Sequence, residues 1–169
     1  MIGMMLVLEV VAILLTAVVM SLSLAHALEL PGKLRLNREA YLTTQTIYYP
    51  GFTFGGIAEP LAVIAVLLLL SSSPVGTRFW LLLLSLVALA AVQLIFWFWV
   101  QPVNRIWLKE VNLGRAGAAF FGKQGQAPDD GNPTLESWRA LRDRWESGHV
   151  ARAVFAIIAL ILLTVAVTA

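Results

Sequence analysis

The chain contains no cysteine, which excludes disulfides, thiolate metal sites and cysteine nucleophiles together. Charge is scarce as well. Asp, Glu, Lys and Arg make up 13 % of the 169 residues, against about 25 % in a soluble domain. There is no Gly-rich phosphate loop, since Gly55-Gly56 is too little for one, and no nucleophile elbow of a hydrolase. Basic and aromatic residues do not interleave in stripes, so nothing points to nucleic acid. Within the apolar stretches Glu9 and Gln93 leave little of the midplane polar path that a transporter needs.

What the chain does have is hydrophobicity: 59 % of residues are apolar and the mean hydropathy is +0.81. Four apolar stretches, at about 4–28, 56–72, 77–100 and 149–167, each approach the ~20 residues that cross a hydrocarbon core. We therefore expect an all-α integral membrane four-helix bundle forming a single domain over 1–169. Ala25-His26-Ala27 resembles a signal-peptidase site. The apolar run is too long for a signal h-region, Glu9 interrupts it and no positive n-region precedes it, so a retained span is expected. Pro31-Gly32 reads as the end of that span. An interfacial helix over 37–46 and a Pro50-Gly51 turn are expected next, with Tyr41, Tyr48 and Tyr49 at headgroup level. Phe96-Trp97-Phe98-Trp99 reads as an aromatic belt, after which 101–105 lead out of the membrane. The stretch 112–132, with five glycines and Pro128, reads as a loop. Asn132-Pro133 then opens an amphipathic helix, with Leu135, Trp138, Leu141 and Trp145 at spacings of three and four, that feeds the fourth span.

Lys and Arg set the expected orientation. Arg78 alone lies by the second-to-third turn, and the other eleven cluster around the loops after the first and third spans. By the positive-inside rule those loops are cytoplasmic and both termini lie on the outer side, with the inner or plasma membrane as the expected location.

This topology brings span ends bearing polar residues to one layer. They are His26 and Glu29, then Glu59, then Asn104 with Trp107, and finally Glu146 and His149. Ionisable groups at such positions are functional candidates by default. His26-x-x-Glu29 and Glu146-x-x-His149 each place a histidine and a carboxylate on one helix face. Di-metal bundles use Glu-x-x-His in this way, and two histidines with a carboxylate form a non-haem iron set. Hence His26, Glu29, Glu59, Glu146 and His149 are candidate ligands for non-haem iron or another divalent metal, and the two histidines could alternatively grip a haem. The competing reading is structural. In it Glu146 offsets Arg142, Lys33 and Arg152 snorkel to water rather than clamp a ligand, Gln93 bonds a neighbouring helix, and Glu9 stands too far away to join.

The motifs His26-Ala-Leu-Glu29-Leu-Pro-Gly-Lys33, Tyr49-Pro50-Gly51-Phe52, Pro102-Val103-Asn104 and Arg144-Trp145-Glu146-Ser-Gly148-His149-x-x-Arg152 together resemble the anthrone oxygenase-like family of small four-span membrane proteins. The resemblance leaves the basic Gly-rich stretch 113–131 unmatched. It implies an oxygenase-like redox enzyme acting on a lipophilic aromatic molecule, since some members are associated with oxidising anthrones to anthraquinones. His26 and His149 would then be catalytic, either as bases near neutral pH or as metal ligands. Asn104, Trp107, Lys33 and Arg152 are candidate substrate-binding residues, and Trp97, Trp107 and Trp145 could line a cavity. Expected partners are the bilayer and the lipophilic substrate, and a second copy of the chain is a further candidate. The alternative is a non-catalytic binding, scaffolding or small transport subunit.

Overall fold

The computed structural model describes residues 2–48, 50–107 and 135–169. Among these residues there is no strand. Four stretches are long and apolar enough to cross a membrane: Gly3–Lys33, Gly51–Ser71, Thr77–Ile106 and Ser137–Thr168. The chain is thus an all-α membrane-type bundle. In order the elements are α1 (Ile2–Lys33), α2 (Arg38–Gln45), a 3-10 turn (Thr46–Tyr48), α3 (Gly51–Gly55), α4 (Ala58–Ser71) and α5 (Thr77–Ile95). A π turn (Phe96–Val100) joins α5 to α6 (Gln101–Trp107), and α7 runs from Leu135 to Thr168. The stretch expected as a Gly-rich loop and the Asn132-Pro133 helix start lie outside the described residues.

Buried positions follow the helical period. On α1 they are Ala12, Thr16, Val19, Ser23, His26 and Lys33, and on α7 they include Trp145, His149, Arg152, Ala156, Ala159, Leu163 and Ala166. Spacings of three and four put each set on one stripe. Small residues recur along these stripes, Ala12, Thr16 and Ser23 on α1 and Ala156, Ala159 and Ala166 on α7, which lets helix backbones approach closely where lipid supplies no hydrophobic drive. Helices α1 and α5 each pack against both α4 and α7, so the four spans close into a ring around these stripes. Ser85 on α5 adds one buried cross-link, donating to Ala159 O at 2.9 Å. Leu14, Leu67, Leu84 and Ile161 point outward, as lipid-facing residues do.

Two helix ends differ from expectation. Helix α1 continues through Pro31 and Gly32 to Lys33. Proline forfeits only one donor in a last turn, and the chain closes beyond it with Leu34 N on Leu30 O at 3.0 Å. The third span does not stop at Val100 but continues through the π turn into α6. Pro102 cannot serve the carbonyl of Phe98, four residues back. Arg144 of α7 does so instead, with Nη2 3.0 Å from Phe98 O and Nε 3.1 Å from Trp99 O. A freed carbonyl and an arginine thus fasten α7 to the π turn. Gly148 permits that contact, because a Cβ there would lie 2.7 Å from Val100 Cγ2 and 2.9 Å from Trp99 Cδ1.

The expected interfacial helix forms as α2, with Asn37 capping it through a 2.9 Å bond from Ala40 N. The expected Pro50-Gly51 turn is instead the start of α3. Tyr41 and Tyr48 are buried inside the protein, and Tyr49 lies outside the described residues. At the opposite end of the bundle Glu9 pairs with Arg78 at 2.5 Å, tying α1 to α5 far from the histidines.

Candidate functional site: a histidine pair inside a charged, aromatic shell

His26 of α1 and His149 of α7 meet inside the bundle with ring centroids 4.1 Å apart. Both are buried. Aromatic side chains enclose the pair: Trp145 lies 4.0 Å from His149 and 5.1 Å from His26, while Tyr48 and Phe52 lie 4.4 and 4.7 Å from His26. Trp145 is one turn before His149 on α7, and Tyr48 and Phe52 come from the 3-10 turn and α3 that fold over this end. Asn104 holds the indole in place, its Oδ1 accepting from Trp145 Nε1 at 2.8 Å, and Asn104 Nδ2 donates to Gln101 at 3.3 Å.

Around this pair, charges alternate. Lys33 Nζ stands 3.2 Å from Glu29 and 3.5 Å from Glu146, and over the rings of Trp145 and Tyr48 at 4.8 and 5.1 Å. Tyr48 donates to Glu29 at 2.5 Å and Tyr41 to Glu146 at 2.6 Å. On the other side Arg152 contacts Glu59, which also accepts from Gln93 at 3.0 Å, and its guanidinium covers Phe96 at 5.0 Å. Arg152 Nη1 also lies 3.3 Å from His149 Nδ1. A guanidinium only donates, so Nδ1 must present its lone pair and His149 carries its proton on Nε2. Burial, then the bond to a carboxylate, pushes both tyrosine hydroxyls above their ordinary range, so Tyr41 and Tyr48 stay protonated donors.

The sequence-predicted residues thus divide. His26 and His149 come together, as do Lys33, Glu29 and Glu146 beside them and Arg152 with Glu59. Lys33 and Arg152 do not snorkel: their side chains are 4 % and 6 % exposed. The interior carboxylates hold them there, where bare cations would be unstable. Glu146 is not offset by Arg142, which pairs with Asp143 at 2.7 Å. Trp97 faces outward, away from the site, and the Trp107 side chain lies outside the described residues.

The five candidate metal ligands are not gathered around one point among the described residues. Among the described residues no three His, Asp or Glu side chains are grouped to hold an ion. Glu29, Glu59 and Glu146 are each engaged by Lys33 or Arg152, and fixed cations next to both histidines oppose a dication. A haem does not fit either, because the two imidazoles are already in contact.

A polar layer assembled from His26, Glu146, His149 and Arg152 under α3 lies mostly inside the segment matched by the model of the anthrone oxygenase family, residues 45–162. The chain belongs to the anthrone oxygenase family. No curated protein and no solved structure matches it. This family member carries His26, Glu29 and Lys33 ahead of the matched segment, yet they close the same site. Tyr41, Tyr48 and Phe52 are the site residues that sequence reasoning missed. Tyr41, Gln45 and Tyr48 recur at four and three and are all buried, a helical stripe that could have revealed an inward face.

Proposed function

We propose that this anthrone oxygenase family member is a membrane-embedded, oxygenase-like redox enzyme that oxidises an acidic methylene of a lipophilic aromatic molecule to a ketone. The observation that carries this reading is the contact of His26 and His149 between two buried cations. In the overall reaction one dioxygen converts CH2 to C=O, with one oxygen atom entering the carbonyl and the other leaving as water. His26 takes the methylene proton. His149, with its proton on Nε2, donates a hydrogen bond to the oxyanion that forms, and Lys33 and Arg152 supply the positive field that stabilises it. Trp145, Tyr48 and Phe52 offer faces for a planar ring system and keep water out. No step is assigned to a metal.

A lipophilic substrate would come from the bilayer. An apolar groove of about 520 Å³ between α5 and α7, lined by Leu94, Ile95, Phe98, Trp99, Ser147, Gly148 and Ala151, runs beside the α7 turn that carries His149 and supports that route. The distribution of Lys and Arg supports placing this end of the bundle at the cytoplasmic face.

The test is oxygen uptake by the purified protein in nanodiscs with an anthrone as substrate. Uptake and ketone should appear one to one, and His26→Ala should lower the rate by about 10²-fold or more. Folded wild-type protein that consumes no oxygen with anthrones or related acidic aromatics would overturn the proposal and leave a non-catalytic bundle.

A further inference from the structure

A base buried this deeply needs a route by which its proton leaves. His26, His149, Lys33, Glu146 and Arg152 are all buried. Glu29 is the carboxylate of the cluster that reaches water, with a side chain 39 % exposed against 3 % for Glu146 and 12 % for Glu59. Its Oε2 nevertheless turns inward. Tyr48 donates to that atom at 2.5 Å, Lys33 Nζ stands 3.2 Å away and His26 Nδ1 3.8 Å away. His26 Nδ1 itself is buried and has no hydrogen-bond partner among the described residues. A buried polar atom without a partner calls for a specific explanation, and an exchangeable proton is one. His149 has no equivalent exit, because Arg152 occupies its Nδ1.

We infer that Glu29 is the proton relay between His26 and water, with Tyr48 positioning its inward oxygen. The inference rests on the reading of His26 as the base. As the substrate C–H bond breaks, an N–H bond forms at His26 Nε2. The Nδ1–H bond then breaks as a bond to Glu29 Oε2 forms, and release from Glu29 to water restores the carboxylate. These transfers move protons only. The 3.8 Å gap exceeds a hydrogen bond. His26 and Glu29 are i,i+3 neighbours on α1, so a small side-chain adjustment closes it, as often happens when a substrate binds. The charged and titratable groups facing Glu29 are Lys33 and His26 from its own helix and Tyr48 from the 3-10 turn, with Glu146 of α7 across Lys33.

The test reads the proton directly. Full-length protein in nanodiscs, labelled with 15N-histidine, gives two ring systems, which His149→Gln distinguishes. Exchange of the ring protons with water is measured by NMR for wild type and Glu29→Gln, with and without added formate. Glu29→Gln should slow exchange at His26 by about tenfold or more, leave His149 unchanged, and regain speed as formate rises. Unchanged exchange at His26, or slowing at both histidines that formate does not relieve, overturns the relay. If Glu29→Gln does not fold, Glu29→Asp carries the same comparison, since it keeps the charge beside Lys33 but withdraws the oxygen by one methylene. Failure of the oxygenase reading is separate: wild type then takes up no oxygen, whatever the exchange rates show.

Discussion

Replacing Lys33 with methionine removes a cation without removing the volume its stem fills. The cost follows from the two carboxylates it leaves behind, 3.2 Å away at Glu29 and 3.5 Å away at Glu146. Glu29 is 39 % exposed, so water rehydrates it and its share is at most about 1 kcal/mol. Glu146 is 3 % exposed and, among the described residues, keeps the hydrogen bond from Tyr41 but no counter-ion, so it becomes a buried, uncompensated charge. Breaking such a pair from one side costs about 3–5 kcal/mol, which is the expected loss for Lys33→Met. Adding Glu146→Gln removes the stranded charge. The double variant should recover about 2 kcal/mol or more relative to additivity, within the range of coupling seen between contacting residues. The assay is reversible unfolding in mixed micelles, followed by circular dichroism, for the four corners of the cycle. A loss below about 0.5 kcal/mol for Lys33→Met, the size of an ordinary surface substitution, would show that Lys33 reaches water and would refute the buried array.

Two further expectations follow from packing and from the tyrosines. Gly148→Ala should destabilise by about 1–3 kcal/mol, because its Cβ meets the stiff, buried Val100 at 2.7 Å. Gly55→Ala should cost less in the same unfolding assay although its nearest atom is 2.5 Å away, since that atom is the movable end of Leu22. A larger loss at Gly55 than at Gly148 would contradict the crossing described here. For Tyr41 and Tyr48 the folded hydroxyls ionise later than the unfolded ones. Their contribution is therefore intact below about pH 10, the ordinary tyrosine value, and is lost as pH rises above it. Unfolding midpoints should be insensitive to these groups up to about pH 9 and fall beyond pH 10, and Tyr41→Phe with Tyr48→Phe should blunt that fall. An equal fall in the double variant would refute the assignment.

Reading the chain alone located both histidines, their i,i+3 carboxylates and the layer in which they meet. That worked because four antiparallel spans force alternate ends together whatever the side chains do. It failed at Lys33 and Arg152, where span-end position suggested snorkelling, because whether a cation turns inward depends on carboxylates contributed by other helices. The same holds for Tyr41 and Tyr48: a tyrosine between two spans suits either the headgroups or an interior, and only the fold of α2 and the 3-10 turn over the bundle decides. The donors of the expected metal set are engaged by other partners for a related reason. Spacing counts donors on one helix, but each donor's availability is set by its partner across the bundle.

The sequence by itself determined the class of molecule, the four spans, the family resemblance and the end of the bundle where the histidines and carboxylates meet. Each of these depends on composition, run length or local helical period, which need no knowledge of neighbours. Only the tertiary structure decided that His26 touches His149, that Arg152 assigns the tautomer of His149, and that Glu29 alone among these carboxylates faces both the pair and water. Those are properties of residues far apart in the chain, and the packing of α1 against α7 brings them into contact.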